Sequence, residues 1–212
     1  MTFTTHKSFQ EIVHLYDGFI LDQFGVMHNG KESLPGAVEC VEKLSSLGKK
    51  LIILSNTSAP AQTALDKLPK MGFDPKKFVG AVTSGEEASR YINEHYSNLN
   101  PDGVTKAILL TWNDNGAVQK FLEKCQNLEA TANVEEANLV IAHGSEVWCN
   151  GDGEGKNKSL GSFKSDGDLS LIEPILMQCI KKKLPMICAN PDYIVKLSDG
   201  SIAHMPGEFV LV

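Results

Sequence analysis

Asp22 is the carboxylate on which the sequence converges. It ends the apolar run Phe19, Ile20, Leu21 and is followed by a turn-forming stretch that contains Gly25 and Gly30. A buried parallel strand delivers one acid to its carboxyl edge and then turns in this way. Further along, a second apolar run over 51–54 ends on Ser55, Asn56 and Thr57. A carboxylate beside a hydroxyl and exposed backbone amides suits nucleophilic or electrostatic work on an anion. The strand-Asp-turn pattern also serves as a plain loop cap in many α/β proteins, so on local pattern alone both readings of Asp22 stand. The second motif, one unit later in the chain, favours chemistry.

These two groups are positioned by the elements between them. Leu34, Pro35 and Gly36 open a helix whose Ala37, Val38, Val41 and Leu44 share one face, and Gly48 stops it. Strand, crossover helix and strand make a βαβ unit, whose handedness brings both strand ends to the same sheet edge. Asp22 and Ser55 are therefore expected close together. Upstream, Ser8 with Glu11 has the pattern of a capping box, and Phe9, Ile12, Val13 and Tyr16 follow at helical spacing. Downstream the alternation continues with a helix over 61–71, a strand over 78–82, and a helix from Ser84 to Tyr96 capped by Ser84 and Glu87.

Asn100, Pro101, Asp102 and Gly103 punctuate the chain, and a new series begins. It reads as strand 107–111, helix 116–124, strand 139–142, helix 169–182 and strand 185–189, then a hairpin of 194–197 and 201–203 across Asp199 and Gly200. The stretch 145–167 is polar, rich in glycine and long for a connector; the pattern fits a mobile lid or disorder, and most of it is expected to be disordered.

The totals exclude several classes of function. A net charge of -6 over 212 residues argues against a partner built of nucleic acid, since that affinity comes from clustered Lys and Arg. The one basic cluster, Lys181 to Lys183, is expected as a solvated helix end. Five scattered cysteines without paired spacing suggest neither a disulfide framework nor a zinc site. No apolar run approaches the ~20 residues of a membrane span and the first residues lack a signal-peptide pattern, so no membrane partner and a cytoplasmic location are expected.

Taken together, LDQFGVMHNG, LIILSNTS, VTSGEEASRYI and CANPD resemble the haloacid dehalogenase (HAD) superfamily of aspartate-nucleophile hydrolases. They most resemble its capped branch of p-nitrophenyl, sugar-phosphate and nucleotide phosphatases. The resemblance implies an α/β fold: a HAD-like, Rossmannoid parallel-sheet core with an inserted α/β cap domain. It divides the chain into a core over 1–102, a cap over 103–205, and a return toward the core over 206–212.

The resemblance also implies roles. Asp22 would be the catalytic nucleophile that attacks phosphorus and forms an aspartyl-phosphate. Ser55 and Asn56 would bind the phosphate. A Mg²⁺ cofactor would take the Asp22 carboxylate and the backbone carbonyl of Phe24. The partner would be a small phosphorylated metabolite. Ser84, Gly85, Asn190 and Asp192 match family landmarks, and local pattern alone reads them as cap and turn residues.

Two departures qualify these roles. Phe24 stands where the phosphatases place a second aspartate, so a general acid–base contribution of about 10²–10⁴-fold is expected to be missing. An aromatic there also fits the dehalogenase branch, in which the aspartate attacks carbon. His28 is expected as an exposed loop histidine rather than a substitute acid. In addition, the family pattern continues with a lysine motif and an acidic motif, whereas this sequence ends at Val212. The resemblance therefore implies an incomplete core, weak or absent turnover, and an uncovered edge beside 19–21, open to a second copy or another partner. A non-catalytic phosphate binder or partner subunit is the rival expectation. The tail Phe209 to Val212 either belongs to the interrupted return or packs locally.

Overall fold

A computed structural model of the chain describes residues 5–149 and 157–212. It divides into two compact units: the first runs to Ser55 and resumes over Ala61–Val82, and the second comprises Asn56–Pro60 and Thr83–Val212. The contact division falls at Thr83.

In the first unit, two 3₁₀ turns, Phe9–Glu11 and Val13–Leu15, precede strand β1 (Gly18–Leu21). The expected helix there is not continuous, and Ser8 makes no side-chain cap bond. Helix α1 (Ala37–Ser46) then leads to β2 (Lys50–Ser55), α2 (Ala61–Lys67) and β3 (Phe78–Thr83). The strands lie in the order β1-β2-β3, and β1 pairs in parallel with β2, Phe19 opposite Leu51 and Leu21 opposite Ile53. Alternation along β2 sends Leu51 and Ile53 inward, where they pack with Val41 and Leu44 of α1, Met27, Leu68, Phe73 and Phe78. Each such side chain contributes about 1.5–3 kcal/mol by leaving water.

The opposite face of this sheet is open. Ile20, Leu54 and Val79 are 70%, 51% and 67% exposed, so that face carries little of the unit's stability. Among the described residues β1 has β2 as its only ladder partner, which is the uncovered edge expected from sequence.

The second unit opens with helix α3 (Ser84–His95) and continues with β4 (Thr105–Thr111), α4 (Asn115–Leu122), β5 (Leu128–Ala130) and β6 (Leu139–Ala142). Next come β7 (Val147–Cys149), β8 (Lys158–Ser159), α5 (Phe163–Asp166), α6 (Glu173–Lys181) and β9 (Met186–Cys188). The hairpin β10 (Ile194–Lys196) and β11 (Ile202–His204) precedes a 3₁₀ turn over Pro206–Leu211. Its main sheet runs β8-β7-β4-β6-β9, with β5 on β4; β4 is parallel to β5 and β6 and antiparallel to β7. Strands β4 and β6 are buried almost throughout, as the continuous apolar runs 107–110 and 139–142 require.

Two expectations are corrected here. The described residues of 145–167 are not mostly irregular: β7, β8 and α5 fall among them, anchored by Trp148, Leu160 and Phe163 in the core. The glycine-rich middle of that stretch, including Lys156, lies outside the described residues, while Lys158 sits 4.9 Å over the Trp148 ring. Lys182 is not a solvated helix end, because its ammonium donates to the carbonyls of Val134, Glu135 and Ala137 and ties that turn to α6. In the tail, Phe209 is fully buried with its ring 4.6 Å from that of Phe163, while Val210, Leu211 and Val212 are exposed. The cysteines are free thiols, and among the described residues no helix is long and apolar enough to cross a membrane.

Candidate active site

Asp22 follows β1 directly, and the β1–β2 register places it level with Leu54, one residue short of Ser55. Both groups therefore stand at the carboxyl edge of adjacent parallel strands, where this class of sheet collects its ligands. Asp22 is exposed; its Oδ1 accepts from the Gln23 amide at 2.7 Å, which leaves Oδ2 outside that bond.

The loop after Asp22 is tied by its own backbone. The Gln23 carbonyl accepts from the amides of Met27 and His28 at 2.8 and 3.1 Å, and the Gly25 amide donates to the His28 carbonyl at 2.8 Å. Gly25 holds a φ of +80°, a conformation that glycine adopts without strain. Gly30 has φ +89° and lies against the Phe24 ring, which a Cβ would approach to 3.3 Å. Phe24 is 39% exposed, and its phenyl ring carries no transferable proton.

His28 departs from expectation. It is buried rather than exposed, and its Nδ1 accepts from the Gly30 amide at 3.1 Å. An accepting Nδ1 carries no proton, so the ring is the neutral tautomer protonated at Nε2. Burial pushes this imidazole below its ordinary value, while the neighbouring Asp22 charge pulls it part of the way back. Near neutrality the group is therefore uncharged and buried beside the carboxylate.

The residues that follow Ser55 belong to the second unit and are held there at every step. The Asn56 Nδ2 donates to Asp192 Oδ1 at 2.8 Å. The Thr57 carbonyl accepts from the Gly85 amide at 3.1 Å. Ser58, 4% exposed, accepts at its Oγ from Trp112 Nε1 at 2.9 Å. The Ala59 carbonyl accepts from Thr83 Oγ1 at 2.7 Å. Gly85 is required by this packing, because a Cβ there would lie 1.9 Å from the Ser58 carbonyl oxygen.

Beneath the segment, His143 is buried with Nδ1 2.9 Å from Thr111 Oγ1. Burial pushes it down to about 4, against an opposing contribution from the Ser58 backbone.

The remaining landmarks resolve as follows. Thr83, not Ser84, is the N-cap of α3: its Oγ1 accepts from the Glu86 amide at 3.2 Å. Asn190 is buried and its Oδ1 accepts from the Asp192 amide at 3.2 Å, the turn role expected from local pattern. Trp148 is a core residue, while Trp112 has a specific polar role that its sequence neighbourhood does not announce.

Among the described residues no three His, Cys, Asp or Glu side chains group so as to hold a metal ion. Mg²⁺ commonly takes one or two carboxylates and completes its shell with water and phosphate oxygens. The Asp22 carboxylate and the Phe24 carbonyl both stand on exposed residues.

A family model described as haloacid dehalogenase-like hydrolase matches residues 19–126. The chain is 32% identical over 71 residues to a 4-nitrophenylphosphatase of Schizosaccharomyces pombe, covering 33% of this chain and 24% of that protein. It is 33% identical over 102 residues to chronophin of Bos taurus, covering 48% of this chain and 34% of that one. Among solved structures, a haloacid dehalogenase-like hydrolase from Brucella suis superposes with a TM-score of 0.69 at 20% identity, over 98% of this chain and 65% of that one. That likeness shows the fold. The matches span about a quarter to a third of the length of these curated relatives.

Proposed function

The chain belongs to the haloacid dehalogenase-like hydrolases, and from that premise we propose that it acts on a small phosphate ester through Asp22. Asp22 Oδ2 attacks phosphorus, the ester oxygen departs, and water then hydrolyses the aspartyl-phosphate. Ser55 and Asn56 hydrogen-bond the phosphoryl oxygens and stabilise the charge that develops on them. Asp22 and the Phe24 carbonyl would hold Mg²⁺, which would offset the negative charge of carboxylate and phosphate. The observation that carries this reading is the parallel register of Leu21 with Ile53, which sets Asp22 and Ser55 at one sheet edge. The name of one curated relative, a 4-nitrophenylphosphatase, supports a phosphorylated substrate.

Turnover is slow in this reading, because Phe24 offers the departing oxygen no proton and His28 is buried in its neutral form. Substrates whose leaving group needs no proton are preferred. The test is release of p-nitrophenol from p-nitrophenyl phosphate with Mg²⁺ present. Slow release abolished by Asp22→Asn is expected; release that survives Asp22→Asn rules out Asp22 as the nucleophile.

The exposed Phe24 also favours a second reading, a module that binds phosphate without turning it over. Phosphate would then raise the melting temperature while no product forms, since a ligand held only by the folded state stabilises it.

A further inference from the structure

We propose that Asp192 is a positioning residue for Asn56: its carboxylate fixes the Asn56 amide so that one N–H stays directed for a phosphoryl oxygen. This rests on the phosphate-binding reading above. The contact itself, Asn56 Nδ2 to Asp192 Oδ1 at 2.8 Å, joins residues 136 apart in sequence. A carboxylate oxygen accepts and does not donate, so the end of the amide that faces it is the NH₂ group. One N–H is used by Asp192. The other stays with Asn56, in a plane that the first bond has set.

Both partners are held by their backbones. The Asp192 amide donates to Asn190 Oδ1 at 3.2 Å, and the Asp192 carbonyl accepts from the Gly207 amide at 2.9 Å. Gly207 comes so near that a Cβ would lie 2.6 Å from the Asp192 carbonyl oxygen and 2.3 Å from that of Pro191, so only glycine permits the approach. Asn190 is 5% exposed, which anchors the turn to the core of the second unit. On the other side, Thr57, Ser58 and Ala59 are bonded to Gly85, Trp112 and Thr83. An exposed asparagine on a free loop would sample several rotamers and both amide orientations. Here the chain on either side is fixed, and a charge-assisted bond selects one orientation in advance of any ligand. Asp192 does this without touching the phosphate.

The test is a titration of the ¹⁵N-labelled chain with inorganic phosphate in the presence of Mg²⁺, following the Ser55 backbone amide and the Asn56 side-chain NH₂ by NMR. Wild type, Asp192→Ala, Asp192→Asn, Asn56→Ala and the Asp192→Ala/Asn56→Ala pair are compared, with retained dispersion of the core amides showing that each is folded. Asp192→Ala is expected to weaken phosphate binding about fivefold, in keeping with loss of one charge-assisted bond at an exposed site. Asp192→Asn, which keeps an acceptor oxygen, recovers most of the loss. In the Asn56→Ala background Asp192→Ala has no further effect.

Wild-type affinity in Asp192→Ala overturns the inference and leaves the phosphate site standing. So does an Asp192→Ala defect that persists without Asn56, because Asp192 then acts by some other route. A wild-type chain in which phosphate moves neither resonance removes the phosphate-binding reading and this inference together.

Discussion

Trp112 Nε1 donates to Ser58 Oγ at 2.9 Å, and so an indole at the end of β4 pins a hydroxyl two residues beyond Asn56. Ser58 is 4% exposed, which leaves its hydroxyl few partners other than this one. Trp112→Phe and Ser58→Ala are each expected to cost about 1 kcal/mol, with a coupling of similar size in the double variant. Urea unfolding of the four proteins measures this; strictly additive losses would show that the bond contributes nothing of its own.

At Gly85 two effects oppose one another, and their magnitudes set the sign. Alanine inside a helix is favoured over glycine by about 1 kcal/mol. Yet the new Cβ would lie 1.9 Å from the Ser58 carbonyl oxygen, a backbone atom that cannot swing away. Overpacking of that kind costs about 1–3 kcal/mol or more, so Gly85→Ala is expected to lower the thermal midpoint. A raised midpoint would mean that the 56–60 segment yields freely.

Phe24→Asp tests what the aromatic withholds. The residue is 39% exposed, so a carboxyl there faces little desolvation. If Asp22 is the nucleophile, a general acid at position 24 is expected to raise p-nitrophenyl phosphate hydrolysis about tenfold, less than the roughly 10²–10⁴-fold such groups typically supply, because p-nitrophenolate departs with little need of a proton. An unchanged rate, with the fold intact, would place the limiting step elsewhere.

His143 makes stability depend on pH. Its folded value of about 4 lies below the ordinary 6.5, so between those limits the unfolded chain holds the proton more tightly. Stability is therefore full above pH 6.5 and is lost as pH falls toward 4, by about 3 kcal/mol for this fully buried group. His143→Gln is expected to flatten that part of the profile relative to wild type in urea midpoints taken across the window. Parallel profiles for the two proteins would show that His143 is not the group responsible.

The legible part of this protein is local. Apolar runs ending on Asp22 and on Ser55, with Ala37, Val38, Val41 and Leu44 at helical spacing between them, identify a βαβ unit. Its register then follows from the one-sided burial of Leu51 and Ile53. The choice of Thr83 over Ser84 as the cap of α3 was not legible, because either hydroxyl can cap. The decision lies in backbone angles, Thr83 being extended at φ -126° and ψ 149°. Nor were β7, β8 and α5 legible in a polar, glycine-rich stretch, since their anchors Trp148, Leu160 and Phe163 are too sparse to make a period.

The sequence by itself determined which residues carry reactive groups and which strand ends present them, because side-chain period and crossover handedness are properties of adjacent residues. Only the tertiary structure decided that His28 is buried and neutral, that Trp112 holds Ser58, and that Asp192 meets Asn56 across 136 residues. Contacts at that separation depend on how packed cores and close-fitting glycines such as Gly85 and Gly207 bring distant backbones together. No local pattern encodes that distance.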